Sequence, residues 1–311
     1  MSINTNKETS MQLAFAHRSV LGECLLWHAD TGRWWWTDIE SACLYAWAPG
    51  SAGAIRFNAP DRVGSFAFCQ SGRLLLGLSK QLCLADVPDI SDNATRHLQV
   101  SFLADVDAAE IRTRINDGRT DRRGYFVFGT MNEGGDNRPI GSFYQFSLQH
   151  GLRRLALPAV SIANSICFSP DGTTLYFTDS LTKRIMLCDY DSESARVGNV
   201  RLFAEVTQAE ASPDGSVIDR HGCLWNAQWG AGQIVQYSPT GRPLHTISVA
   251  AKNPTCPAFG GAESDLLMVT SSRMEMSGPE LKQMPLAGSL FALQVPADVT
   301  LADTLFDDRN G

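Results

Sequence analysis

Three oxygen-bearing side chains stand out against apolar surroundings in this 311-residue chain: Glu23 in LGECLLW, Asn164 in ANSICF and Asp214 in PDGSVID. Two carboxylates and an amide oxygen form a hard donor set. Such a set suits Ca²⁺, Mg²⁺ or Mn²⁺, and also Zn²⁺ or Fe²⁺ when water completes the shell. Arg114 precedes Asn116 by two residues, which in an extended strand puts both side chains on one face. A guanidinium beside a cation would hold a substrate oxygen or a developing negative charge. Taken singly, some of these acids read otherwise, because the Asn-Asp-Gly around Asp117 and the Pro-Asp-Gly around Asp214 are ordinary β-turn sequences. Position within a repeat has to decide between turn and site.

That repeat is marked by glycines. Polar turns ending in Gly and leading into an apolar run recur as HADTGRWWW, CQSGRLLLG, DRRGYFVFG, SPDGTTLYF and DRHGCLW, with a degenerate sixth copy in FGGAESDLLMV. The marker glycines 32, 72, 124, 172, 222 and 261 lie 39 to 52 residues apart, the spacing of a four-stranded propeller blade. Each is followed by a second strand-like run: CLYAW, QLCLA, SFYQF, RIMLCD, QIVQY and SLFAL. With almost no helical periodicity, the pattern predicts an all-β, six-bladed β-propeller as one domain over residues 1–311. Residues 1–10 form a flexible tail in this reading, LAFA completes the last blade, 86–113 is an insertion and 272–286 a long loop. Eight residues before the marker glycines lie Cys24, Gly64, Asn116, Asn164, Asp214 and Asn253. A one-residue slip in the first blade exchanges Cys24 for Glu23. Equivalent rungs of innermost strands face a common channel, so most of these oxygens converge at one mouth, as a small-molecule or metal site needs.

Composition excludes several other classes. A net charge of −7, with no basic stripe, argues against nucleic acid. No apolar run approaches the roughly 20 residues of a membrane helix, and the polar start MSINTNKETSMQLAF lacks the pattern of a secretory signal. Eight cysteines with no CxxC spacing read as reduced core thiols, so a cytoplasmic protein is expected. There is no HxH, HExxH, GxSxG or phosphate-binding loop, and Cys24 as a nucleophile would have only His28 as a sequence neighbour.

The segments LGECLLWHADTGRWWWTDIESACLYAW, RINDGRTDRRGYFVFGTMNEGG, IANSICFSPDGTTLYFTDS, PDGSVIDRHGCLWNAQWGAGQIVQYSPTG and PLAGSLFAL resemble the gluconolactonase/regucalcin (senescence marker protein) family. They do so in the family's order and over nearly the whole chain, with a particular likeness to bacterial arabinono- and xylonolactonases. The resemblance implies a six-bladed propeller with one divalent metal in its channel, held by Glu23, Asn164 and Asp214. It implies Asp214 as general base and substrate contacts from Arg114 and Asn116, with Glu133 of GTMNEGG as a further contact whose register is less secure. The family's GEGP and SNG segments read GECL and ANS here, so Cys24 and Ser165 depart from the pattern. The implied reaction is hydrolysis of an aldonolactone, such as L-arabinono-, D-xylono-, D-galactono- or D-gluconolactone, to the sugar acid. Asp214 and a cation-activated water both stand as candidates for the base. A non-catalytic calcium-binding propeller and an arylesterase- or phosphotriesterase-like metal hydrolase are the alternatives, and a monomer or dimer is expected.

Overall fold

The computed structural model describes residues 10–88, 90 and 94–309. Six sheets, each begun by an inner strand and antiparallel except where Arg96–His97 adds to the first in parallel, form a six-bladed propeller. The inner strands are Gly22–His28, Val63–Phe68, Thr113–Thr120, Ala163–Phe168, Ser212–Ile218 and Asn253–Gly260. Each packs against the inner strand of the next blade, and the last returns to the first. Gln12–Phe15 pairs with Leu290–Gln294 and supplies the outermost strand of the sixth blade, so the N-terminal part of the chain closes the ring. The expected flexible tail at 1–10 lies outside the described residues except for Ser10, which bridges to Ser248.

The marker turns form as their glycines require, for all six have positive φ, between +60° and +95°. The runs between them fill the spaces between blades. In Arg33–Asp38, alternation sends Trp35 toward the second blade, against Phe57 and Phe66, and Trp34 and Trp36 toward the sixth, against Leu25 and Met268. All three indoles are essentially fully buried. Residues 86–113 carry the short strands Arg96–His97 and Val100–Asp105. The segment expected to be a long loop contains a short helix, Gly278–Gln283, opened by a capping box in which the Ser277 hydroxyl accepts from the Glu280 N–H. Six residues are too few to show helical periodicity. No helix among the described residues is long and apolar enough to cross a membrane.

Two features of the ring bear on the site. All six inner strands lose register at the same level: between Glu23 and Leu26, Val63 and Ser65, Ile115 and Gly118, Asn164 and Cys167, Pro213 and Ser216, and Pro254 and Pro257. Bulges of this kind bend a strand and re-aim its side chains. The second blade has Gly64 at that level because the Ile115 and Asn116 carbonyls press against it; a Cβ there would overlap Ile115 O and lie 2.9 Å from Asn116 O. Gly64→Ala will therefore displace the strand that carries Asn116 and cost about 1–3 kcal/mol, read as a lowered urea midpoint.

Candidate functional site

Five of the six residues singled out from sequence line one cavity of about 390 Å³ at one mouth of the channel: Glu23, Arg114, Asn116, Asn164 and Asp214. They come from the first, third, fourth and fifth blades, each at or beside the bulge. Asp214 is not a turn residue; it sits inside Ser212–Ile218 and is buried. Asp117 likewise lies inside Thr113–Thr120, where its carboxylate accepts the Ile166 N–H at 2.8 Å. The turn reading of both acids fails because each Gly after Asp belongs to a bulged strand.

A hydrogen-bonded relay runs around the cavity wall. Arg114 Nη1 donates to Asn116 Oδ1 at 2.7 Å, Asn116 Nδ2 to Asn164 Oδ1 at 3.1 Å and Asn164 Nδ2 to Ser180 Oγ at 2.9 Å. Ser180 Oγ in turn donates to the Pro213 carbonyl at 2.8 Å. With its amide nitrogen committed to Ser180, Asn164 is fixed with its oxygen toward Asn116, in the cavity it shares with Glu23 and Asp214. Arg114 spends Nε on Glu133 (3.1 Å) and Nη1 on Asn116 and the Ile115 carbonyl, which leaves Nη2 without a protein partner among the described residues.

Glu133 has a different place from the one expected. It does not line the cavity; it takes a two-point contact from Arg62 at 2.6 and 2.8 Å and the single bond from Arg114. Burial opposes its charge, but Arg62 and Arg114 outweigh that and hold its pKa below the ordinary value. Geometrically it orients Arg114. Asn253, the sixth-blade rung, also turns away, with Oδ1 accepting from Gly230 N–H and Nδ2 donating to Met274 O.

The electrostatics centre on Glu23 and Asp214. Burial first, and then mutual repulsion with Asp214 and Asp117, pushes the Glu23 pKa well up; burial and Asp117 do the same to Asp214. Among the described residues neither carboxylate has a Lys or Arg partner within ion-pair distance, and the nearby lowering influences are the backbone amides of Cys24 and Gly215 and the more distant Arg114. A buried, repelling acid pair beside a fixed amide oxygen fits a hard divalent cation. No three His, Cys, Asp or Glu among the described residues gather closely enough to hold a metal by themselves, so a cation held here would need Asn164 and water to complete its shell.

The departures at Cys24 and Ser165 share a cause. Both directly follow a candidate ligand, and both sit in the left-handed region, with φ of +45° and +60°. In place of glycine's freedom each has a side chain that reaches the neighbouring blade. Cys24 Sγ exchanges hydrogen bonds with Phe66 N and O, and Ser165 Oγ donates to the Asp214 carbonyl. Burial pushes the Cys24 thiol far up and disfavours its thiolate, and His28 bonds Thr31 instead. All eight cysteines are unpaired.

Sequence reasoning did not find the upper wall, which is formed by Leu21, Met131, Ile162, Leu181, Trp229 and Met274, nor Asn137 and Glu275 at its edge. Most of these lie at strand ends or in connections, where no period marks them. The opposite mouth holds a larger cavity of about 740 Å³, with His28, Gln70, Arg220 and Asp303 in its wall. Its lining acids are Asp30 and Asp303, and it is crossed by the C-terminal segment, whose Asp303 reaches Arg119 at 3.1 Å and whose Val299 carbonyl accepts from Arg220 N–H.

Residues 21–273 match the family model described as the SMP-30/Gluconolactonase/LRE-like region. The chain is 40% identical to an L-arabinolactonase of Azospirillum brasilense, with 89% of each protein covered. It is 31% identical to a 6-deoxy-6-sulfogluconolactonase of Pseudomonas putida, covering 89% of this chain and 92% of that one. Among solved structures, a calcium-binding regucalcin from Agrobacterium tumefaciens superposes with a TM-score of 0.85 at 28% identity, covering 96% of this chain and 99% of the other.

Proposed function

This chain belongs to the SMP-30/gluconolactonase/LRE-like family, and from that premise we propose that it is a cation-dependent hydrolase that opens a five- or six-membered aldonolactone to its sugar acid. The observation that carries the reading is the pair Glu23 and Asp214, two buried acids with no Lys or Arg within ion-pair distance among the described residues, in a cavity they share with Asn164, Asn116 and Arg114. The 40% identity to an L-arabinolactonase supports the substrate class, and a cavity of about 390 Å³ admits a single sugar ring.

In this reading Glu23, Asn164 and Asp214 hold one divalent cation. Such an ion polarises a carbonyl oxygen and makes water acidic enough to attack near neutral pH. Arg114, oriented by Glu133, turns its free Nη2 to a lactone oxygen, and Asn116 keeps it in line. Asp214 orients the attacking water and takes its proton. Water's oxygen bonds to the carbonyl carbon, the ring C–O bond breaks, and the ring oxygen leaves as a hydroxyl. The net product is a carboxylate and one released proton.

A second reading, hydrolysis of aryl or alkyl lactones, is favoured by the six apolar residues of the upper wall. A pH-indicator assay decides between them. The purified chain will acidify solutions of one or more of L-arabinono-, D-xylono-, D-galactono- and D-gluconolactone faster than an aryl lactone, and a chelator will abolish this. Faster turnover of the aryl lactone would favour the second reading. Stoichiometric cation binding with no turnover of any lactone would leave a non-catalytic cation-binding propeller.

A further inference from the structure

We propose that Ser165 is a positioning residue that fixes Asp214 relative to Asn164 across the junction of the fourth and fifth blades; this rests on the cation site proposed above. Ser165 follows Asn164 directly, is completely buried and holds a left-handed backbone at φ +60°. That conformation is costly for any residue but glycine, so something must compensate. Its hydroxyl donates to the Asp214 carbonyl at 2.5 Å, and it accepts from Ser216 Oγ at 3.0 Å and Asn226 Nδ2 at 3.2 Å. Asn226 Nδ2 also reaches the Asp214 carbonyl at 3.1 Å. All four groups are buried.

The consequence is geometric. Asn164 and Asp214 belong to different sheets, and both sit where their strand's register slips. A bulged strand has lost the ladder bonds that would otherwise fix its backbone. The Ser165 hydroxyl replaces them with one direct link between the residue after one donor and the backbone of the other. Ser180 makes the companion link, accepting from Asn164 Nδ2 and donating to the Pro213 carbonyl. The two hydroxyls thus tie one strand to the next on both sides of the donor pair, and Asp214 follows the fourth blade.

Two substitutions separate positioning from ordinary stability. Ser165→Gly removes the hydroxyl and relieves the strained backbone, while Ser165→Ala removes the hydroxyl and keeps the strain. The metal-free full-length chain is melted by calorimetry and titrated with Ca²⁺ and Mn²⁺. Expected is a loss of affinity of about tenfold in both variants, which corresponds to about 1.4 kcal/mol, with the melting temperature lowered in Ser165→Ala and held or raised in Ser165→Gly. Wild-type affinity in Ser165→Gly would overturn the proposal, as would an affinity loss that tracks the melting temperature across the two variants. Glu23→Gln serves as the reference. Wild-type binding that survives Glu23→Gln, or no binding in the wild type, would overturn the cation site itself. Binding that is lost in Glu23→Gln but unchanged in both serine variants would overturn the role of Ser165 alone.

Discussion

Asp214→Asn will lower kcat/KM for lactone hydrolysis by about 10²–10⁴-fold, the range associated with loss of a positioned general base, and raising the cation concentration will not restore it. Glu23→Gln will fall by a similar factor at low cation and recover in part when the cation is raised. The difference follows from what each acid touches. Both changes keep side-chain volume, so the inter-blade packing beneath them is left alone, and both remove one negative charge from a buried pair. Glu23 enters the proposed reaction only as a donor to the cation, and mass action compensates a weakened donor. Asp214 also orients water and takes its proton, which no excess of cation replaces. Initial rates across a cation series read both effects. Undiminished turnover by both variants would sink the site, and recovery of Asp214→Asn at high cation would move the base elsewhere.

How much of this was legible in the chain depended on whether a residue's role was set by its own blade. The marker glycines report a local requirement, positive φ at a hairpin, and that requirement recurs with the blade whatever surrounds it. The offset from those turns found Asn116, Asn164 and Asp214 because strand length from turn to channel is the same in those blades. It missed Glu23 by one residue for a local reason: the first-blade hairpin is as long as the fourth, Glu23 pairing with Thr37 as Asn164 pairs with Thr178, but its 3₁₀ turn Ala29–Thr31 sets the left-handed glycine one position later. Asp117 was hidden by its sequence. Asn-Asp-Gly looks like a turn, and only the slip between Ile115 and Gly118 shows the strand running through it. Glu133 illustrates the limit from the other side, since its partner Arg62 lies 71 residues away and nothing near GTMNEGG announces it. The apolar wall was illegible for the same reason: Leu21, Ile162 and Trp229 share a surface only because six sheets close into a ring. Ser277 and Glu280 were readable as a capping box, but no hydrophobic stripe accompanies so short a helix.

The stabilisation that a divalent cation confers on this protein will grow as pH rises. In the metal-free fold, Glu23 and Asp214 have pKa values raised well above those of the unfolded chain, by burial and by repulsion within the acid cluster. A folded state with raised carboxylate pKa values binds more protons than the unfolded one over the interval between the two values. The contribution of these groups is therefore complete below the ordinary carboxylate range and is lost as pH climbs through the raised values. At neutral pH the metal-free ring thus bears an internal penalty, the forced proximity of two desolvated acids. A cation competes with the protons for the same oxygens and removes that penalty, so its affinity increases as the protons leave. Calorimetric melting with saturating Ca²⁺ or with chelator, at about pH 5 and about pH 8, isolates this term, since groups far from the cavity cancel in the difference at each pH. At one fixed free cation concentration, about a hundred times the Kd at pH 8, the gain is about 2.7 kcal/mol there, and it should be smaller at pH 5, where protons raise the Kd. The same comparison in Glu23→Gln should give a smaller gain and a weaker pH dependence, because one of the two titrating oxygen pairs is gone. An equal gain at both pH values in the wild type would mean that the cation binds where protons do not, away from Glu23 and Asp214.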